Sequence, residues 1–215
     1  MANLDYYEER KSVADYMKRL YDRHLTTASG GNISLRINKD LFCITPSALD
    51  KGNLTPDLIA LVTFDGKNLT PDLPLSMETE MHRRCLLARP DVNAVVHAHP
   101  TLSCAYSTAQ PCSLNTRLTA EAYYIIGDIV NVPYKLMGTK DLAEIVSKNI
   151  VDHEVMLMEN HGAIAVGATL LRAFDCMELL ERAAQMSLAV ASIPNSHELT
   201  QERIDTIIKM REGTL

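Results

Sequence analysis

The 215-residue chain predicts an α/β fold, a mixed sheet covered by helices and formed as one domain over residues 1–215. Three observations lead there. Apolar stretches of helical period alternate with short strand-like runs, several neighbouring runs are close enough for hairpins, and the composition is globular, with 47% hydrophobic and 22% charged residues. No internal repeat, low-complexity tract or linker divides the chain.

Asp5 is expected to cap a helix running to about His24, with Val13, Tyr16, Met17, Leu20 and Tyr21 on one stripe that packs on the sheet. Strands follow at 32–36, 41–45 and 58–63, separated by turn-forming clusters, of which Asp65-Gly66 is the clearest hairpin signal. A helix capped by Ser76 runs to Ala88 and stops before Arg89-Pro90, since the residue before proline resists the α region. A strand at 92–99 comes next. Helices at 101–109 and 119–126, a strand at 129–133, a helix at 138–150, strands at 155–159 and 163–166, and helices at 169–191 and 198–211 complete the order.

Five cysteines at irregular spacing, without a C-x-x-C pair, suggest neither a disulfide framework nor a thiolate zinc site, and so a reducing cytoplasm. The formal charge of −6 and the lack of a Lys/Arg cluster argue against nucleic-acid or anionic-membrane partners. A small anion is still possible, because a few amides can bind phosphate whatever the global charge. No apolar run is long enough to span a bilayer, and residues 1–9 have neither the basic nor the apolar region of a secretory leader.

His97-Ala98-His99 follows Val95-Val96 on a predicted strand, where side chains two apart share a face, so two imidazoles converge. Such a pair can equally be half-buried and structural. His161, in a turn beside Gly162, supplies a third imidazole, and three imidazoles with open positions match a catalytic rather than a structural zinc site. Glu78 is expected in the first turn of the Ser76-capped helix, either as a surface residue favoured by the helix dipole or as a carboxylate that ligates the ion and acts as general base. His82, one turn later, is expected behind the ligands or on the helix surface. Gly30-Gly31-Asn32, Thr45-Pro46-Ser47 and Ser76 are ordinary turn and cap chemistry individually, but together they offer the amides and hydroxyls a phosphate needs.

In order along the chain stand Ser-Gly-Gly-Asn-Ile-Ser at 29–34, Ile-Thr-Pro-Ser at 44–47, Ser-Met-Glu-Thr-Glu-Met-His at 76–82, His-Ala-His-Pro at 97–100 and Asn-His-Gly at 160–162. This succession resembles the class II aldolase/adducin family over nearly the whole length, most of all its members acting on L-fuculose 1-phosphate. The resemblance implies a three-layer α/β/α fold with a central mixed, largely antiparallel sheet, and a cytoplasmic homotetramer. It implies one Zn2+ per chain on His97, His99 and His161, with Glu78 ligating the ion and handling the proton. Phosphate donors map onto Gly31, Asn32, Ser47, the amide of Ala48, and Ser76. The implied reaction is reversible cleavage of a ketose 1-phosphate to dihydroxyacetone phosphate and an aldehyde.

The chain departs from the pattern at Met77, where a second serine is expected, and at Ala48, where glycine is common. The family's catalytic tyrosine falls near Thr119, and no tyrosine follows Tyr134, so Tyr123 and Tyr124 become the proton-donor candidates, although adjacent helix tyrosines also serve packing. Dehydration of methylthioribulose phosphate, epimerisation of ribulose phosphate and a non-enzymatic adducin-like module are the competing readings. A Schiff-base aldolase ranks below these, because no lysine falls in a predicted strand core.

Overall fold

The computed structural model describes residues 5–215, so the leader expectation for residues 1–4 lies outside the described residues. Seven strands, β1 (Asn32–Arg36), β2 (Leu41–Ile44), β3 (Ala60–Thr63), β4 (Ala94–Ala98), β5 (Val130–Val132), β6 (Val155–Met158) and β7 (Gly162–Gly167), form one sheet in the order β3-β2-β1-β4-β7-β6-β5. Every neighbouring pair is antiparallel except β5 and β6. The expected mixed, largely antiparallel sheet is what forms.

Helices cover both faces. One core joins Val13, Met17 and Leu20 of α1 (Tyr7–Asp22) and Phe174, Met177 and Leu180 of α6 (Leu170–Val190) to Ile33, Val96 and Leu157 of the sheet. The other joins Met81 and Leu86 of α2 (Thr79–Ala88) and Leu142 and Val146 of α5 (Lys140–Asn149) to Phe42, Val95 and Met156. Val95 and Val96 thus point to opposite faces, as the two-residue period of a strand requires. The remaining helices are α3 (Thr101–Ser107), α4 (Ala120–Ile126) and α7 (Gln201–Arg211). Among the described residues no helix is long and apolar enough to cross a membrane.

Local corrections follow from side-chain geometry. Asp5 does not cap α1: Tyr6 occupies that position in the left-handed region without a side-chain cap bond, and Tyr21 is exposed rather than part of the apolar stripe. Asp65-Gly66 does turn the chain, with Gly66 at φ 93°, but the returning strand is one bridge between Val62 and Asn68. The predicted strand at 58–63 begins as a 3-10 turn over Pro56–Leu58, where proline disfavours pairing. Thr119, Thr139 and Thr169 each cap the helix that follows them.

Candidate metal centre and its donor cavity

The β1/β4 register pairs Asn32 with His97, and β4 pairs His97 with Ile164 of β7. Since Ile33 faces the α1/α6 core, Asn32, Ser34 and His97 face α2. His161 lies in the turn from β6 to β7, where Asn160 adopts φ 52° and the His161 amide donates to the Met158 carbonyl, 3.1 Å away. His99 stands just beyond β4, its amide donating to the Leu25 carbonyl at 3.0 Å. The ligand-capable nitrogens of His97, His99 and His161 all lie within 4.8 Å of one another.

Close packing of these rings needs glycine beside them. A Cβ on Gly162 would come within 2.6 Å of His99 Cδ2 and 2.7 Å of the Ala98 carbonyl oxygen. At Gly31, with φ 67°, it would meet the His97 carbonyl at 2.8 Å, so the residue is excluded from bearing a side chain on two grounds. Ala48 holds φ 56° without being glycine, at a cost of about 1–2 kcal/mol.

Glu78 is not in the first turn of α2. It occupies the N-cap position, one residue before the helix, because Ser76 already turns the chain: the Ser76 carbonyl accepts from the Thr79 amide, and the Ser76 Oγ from the Glu78 amide. This turn carries the carboxylate inward, to 8% exposure. Its Oε2 lies 3.1 Å from His97 Nε2 and its Oε1 3.1 Å from His161 Nε2. Those approaches are close without being aligned, for Glu78 Oε1 and His97 Nε2 are buried with no hydrogen-bond partner among the described residues, and His161 Nδ1, the ring's other nitrogen, has none either.

His97 Nδ1 lies 2.8 Å from the Ala163 carbonyl, which fixes Nδ1 as the protonated nitrogen and leaves Nε2 facing the cluster as a lone pair when the ring is neutral. Burial alone would raise the Glu78 pKa, but the charge of His97, the close approach of the His161 and His97 nitrogens and the hydrogen bond from Asn32 outweigh it and hold the carboxyl well below the usual range. Burial opposes the charge on His97 as well, yet adjacent Glu78 raises its pKa. His99 is pushed down to about 3 by burial and then by His97 and His161. Three converging imidazoles and a carboxylate, with Glu78 Oε1 and His97 Nε2 orphaned where they meet, are a donor set that fits a divalent cation, which would supply the positive charge Glu78 otherwise draws from His97.

Behind the carboxylate runs a chain of side chains. Asn32 Nδ2 donates to Glu78 Oε2 at 2.8 Å and to Ser76 Oγ at 3.1 Å. Its Oδ1 bonds His82 Nε2, and His82 Nδ1 lies 2.8 Å from Ser34 Oγ. The asparagine oxygen can only accept, so His82 Nε2 carries the proton and Nδ1 accepts from the serine. His82 is completely buried, not on a helix surface. Its place could have been read from the period of two that aligns Ser34 with Asn32 and the i,i+4 spacing that aligns His82 with Glu78.

A cavity of about 190 Å³ opens beside Glu78, His99 and His161, and Gly31, Asn32, Ser47 and Ser76 line it. Four of the five expected donors therefore meet, one of them with a change of role, while Ala48 is not part of the cavity's lining. Both amide hydrogens of Asn32 are committed to Glu78 and Ser76, so Asn32 holds those groups rather than offering its side chain to an anion. Ser76 Oγ accepts twice, leaving its O–H free to donate. Sequence reasoning missed Lys51, which is 2% exposed and lines the same cavity from a loop. Tyr123 and Tyr124 are not brought to the histidines within the chain. Tyr123 is buried in α4, its hydroxyl 3.3 Å from Asp128 Oδ2, in a cavity it shares with His153 at the opposite end of β6 from His161.

Residues 11–188 match the class II aldolase and adducin N-terminal domain, and the chain belongs to that family. It is 31% identical over 211 residues to a 5-deoxy-D-ribulose 1-phosphate aldolase of Bacillus thuringiensis serovar kurstaki, covering 96% of each chain. It is 30% identical over 197 residues to a 3-oxo-tetronate 4-phosphate decarboxylase of Escherichia coli O6:H1, covering 88% of this chain and 92% of that one. A solved L-fuculose 1-phosphate aldolase superposes with a TM-score of 0.87 at 24% identity, covering 99% of this chain and all of the other, and shares the fold.

Proposed function

We propose that this class II aldolase-family lyase is zinc-dependent and, as one domain in a cytoplasmic homotetramer, reversibly cleaves a ketose 1-phosphate to dihydroxyacetone phosphate and an aldehyde. L-fuculose 1-phosphate and shorter deoxyketose 1-phosphates are the substrates in view. The observation that carries the reading is the convergence of three imidazoles on the buried carboxylate of Glu78 at the edge of a donor-lined cavity. His97, His99, His161 and Glu78 would hold the ion, which when bound polarises the substrate's oxygens and stabilises developing negative charge.

The chain's own groups then have separate tasks. Gly31 and Ala48 amides with the Ser47 and Ser76 hydroxyls bind the phosphate, fixing the ketose carbons against Glu78. In condensation Glu78 Oε takes the proton from the three-carbon fragment, and in cleavage it delivers that proton back to the fragment once the carbon-carbon bond has broken. Asn32, anchored by His82, keeps Oε2 in place. Tyr123 and Tyr124 remain the residues proposed to take the proton from the aldehyde-side hydroxyl in cleavage and to donate it to the aldehyde oxygen in condensation, which they would reach in a neighbouring copy, and the exposed Tyr124 is the more available of the two.

A decarboxylase is the second reading, favoured by the Escherichia coli relative. Loss of CO2 from a 3-oxo four-carbon acid 4-phosphate leaves dihydroxyacetone phosphate as well, so the two reactions share the fragment held in the cavity and differ in what departs. The test is therefore the departing group. With L-fuculose 1-phosphate and 5-deoxypentulose 1-phosphates, dihydroxyacetone phosphate is expected together with an equimolar aldehyde. With 3-oxo-tetronate 4-phosphate as the parallel substrate, release of CO2 and dihydroxyacetone phosphate without cleavage of the ketose 1-phosphates would establish the decarboxylase, whereas a diketone phosphate or an epimer without dihydroxyacetone phosphate would remove both readings.

A further inference from the structure

Lys51 sits in the loop after β2, 2% exposed, with its amide donating to the Ala28 carbonyl at 2.9 Å. Its ammonium hydrogen-bonds the Pro46 carbonyl, and no carboxylate lies within ion-pair distance of it among the described residues. An ammonium has three donors, so two are uncommitted. Removing an unpaired charge from water is costly, and burial pushes the lysine down to about 8. A group left in that condition invites a search for the anion it serves.

The cavity it lines narrows the answer. Gly31, Ser47 and Ser76 present amide and hydroxyl donors there. Two donors anticipated from the sequence are missing: Met77 has no hydroxyl, and the Asn32 amide hydrogens are both in use. We propose that Lys51 is the specificity-determining cation of this cavity, supplying its uncommitted ammonium donors to the phosphate of the substrate in place of those two groups. The inference rests on the phosphate-binding part of the function proposed above. It makes Lys51 a binding group, not a nucleophile, and makes selection for a dianion a property of this chain's own loop.

Calorimetric titration of the metal-loaded full chain with inorganic phosphate tests it. Lys51→Met should raise the Kd by about tenfold or more, the scale of one charge-assisted hydrogen bond. It should raise KM for the ketose phosphate similarly, change kcat little, and leave turnover of the unphosphorylated sugar as it was. The melting temperature should hold or rise, because replacing a buried unpaired charge with an apolar side chain of similar length removes a desolvation cost. Lys51→Gln repeats the comparison if the methionine variant folds poorly. Equal phosphate affinity in wild type and both variants overturns the role of Lys51 alone. A wild-type chain that binds no phosphate overturns the phosphate assignment as well. Borohydride trapping of dihydroxyacetone phosphate on Lys51 would replace the electrostatic role with a covalent one.

Discussion

Glu78 and Glu181 are both glutamates with 8% exposure, and they solve the problem of a buried carboxylate in opposite ways. Glu181, on α6, accepts from the Leu102 amide at 3.0 Å, the Ser103 amide at 2.9 Å and the Ser103 hydroxyl at 2.7 Å. Those donors belong to the first turn of α3, so the charge is satisfied by the fold itself and joins two helices. Glu78 has one firm bond, from Asn32, and otherwise faces imidazole nitrogens that lie out of alignment. Burial alone therefore does not mark a functional carboxylate. What marks it is that its remaining partners are side chains able to choose another partner.

Metal removal separates the two regions most sharply. Dialysis against a chelator should abolish cleavage while far-UV circular dichroism and most of the thermal stability persist, because the two apolar cores do not include the cluster. Unfolding on chelation would make the centre structural, a counterpart of Glu181 rather than its opposite. Elemental analysis of the untreated protein, expected at about one zinc per chain, fixes the ion.

The paired substitutions Glu78→Gln and Glu181→Gln come next. Glu78→Gln should keep the fold and lower kcat by roughly a hundredfold or more, the scale of a positioned general base. Glu181→Gln should do the reverse, costing about 1–3 kcal/mol of stability where an amide hydrogen confronts backbone donors, with kcat nearly unchanged. Near wild-type turnover in Glu78→Gln would remove that residue from the chemistry and dissolve the contrast.

Much of the fold and of the site is legible in the sequence. The strands bearing Asn32 and His97, the Asn160-His161-Gly162 turn and the alternation of elements follow from local periods and turn residues, which act within a few positions. The inward turn at Ser76 was not, since whether a serine caps a helix or turns the chain one step earlier depends on what the next residue's side chain can reach. Lys51 was invisible for the same reason: a lysine in a Gly/Asn/Asp-rich loop reads as solvated, and only the packing of the loop against the sheet's end buries it. The double commitment of Asn32 also needed three dimensions, because its partners lie 44 to 50 residues away.

The smallest expected effect concerns His82, which tests whether the side-chain network behind Glu78 is as settled as the backbone cradle of Glu181. Burial first, and then the charge of His97, pushes His82 down to about 3, against about 6.5 in an unfolded chain. Between those values the unfolded chain takes up a proton that the folded chain refuses, so this histidine's contribution is intact above about pH 6.5 and is lost as pH falls toward 3. The limiting slope is about 1.4 kcal/mol per pH unit. His99 shifts in the same direction, so the informative quantity is the difference between wild type and His82→Gln rather than the slope itself. A glutamine can donate to Asn32 Oδ1 and accept from Ser34, as the neutral imidazole does, so the fold and most of the activity at pH 7 should remain. Denaturant titrations between pH 7 and 5 should then show one proton's worth of slope missing from the variant. Identical slopes would mean that His82 accepts the proton in place, with Ser34 turning to receive it, and that the carboxylate of Glu78 rests on a support that yields.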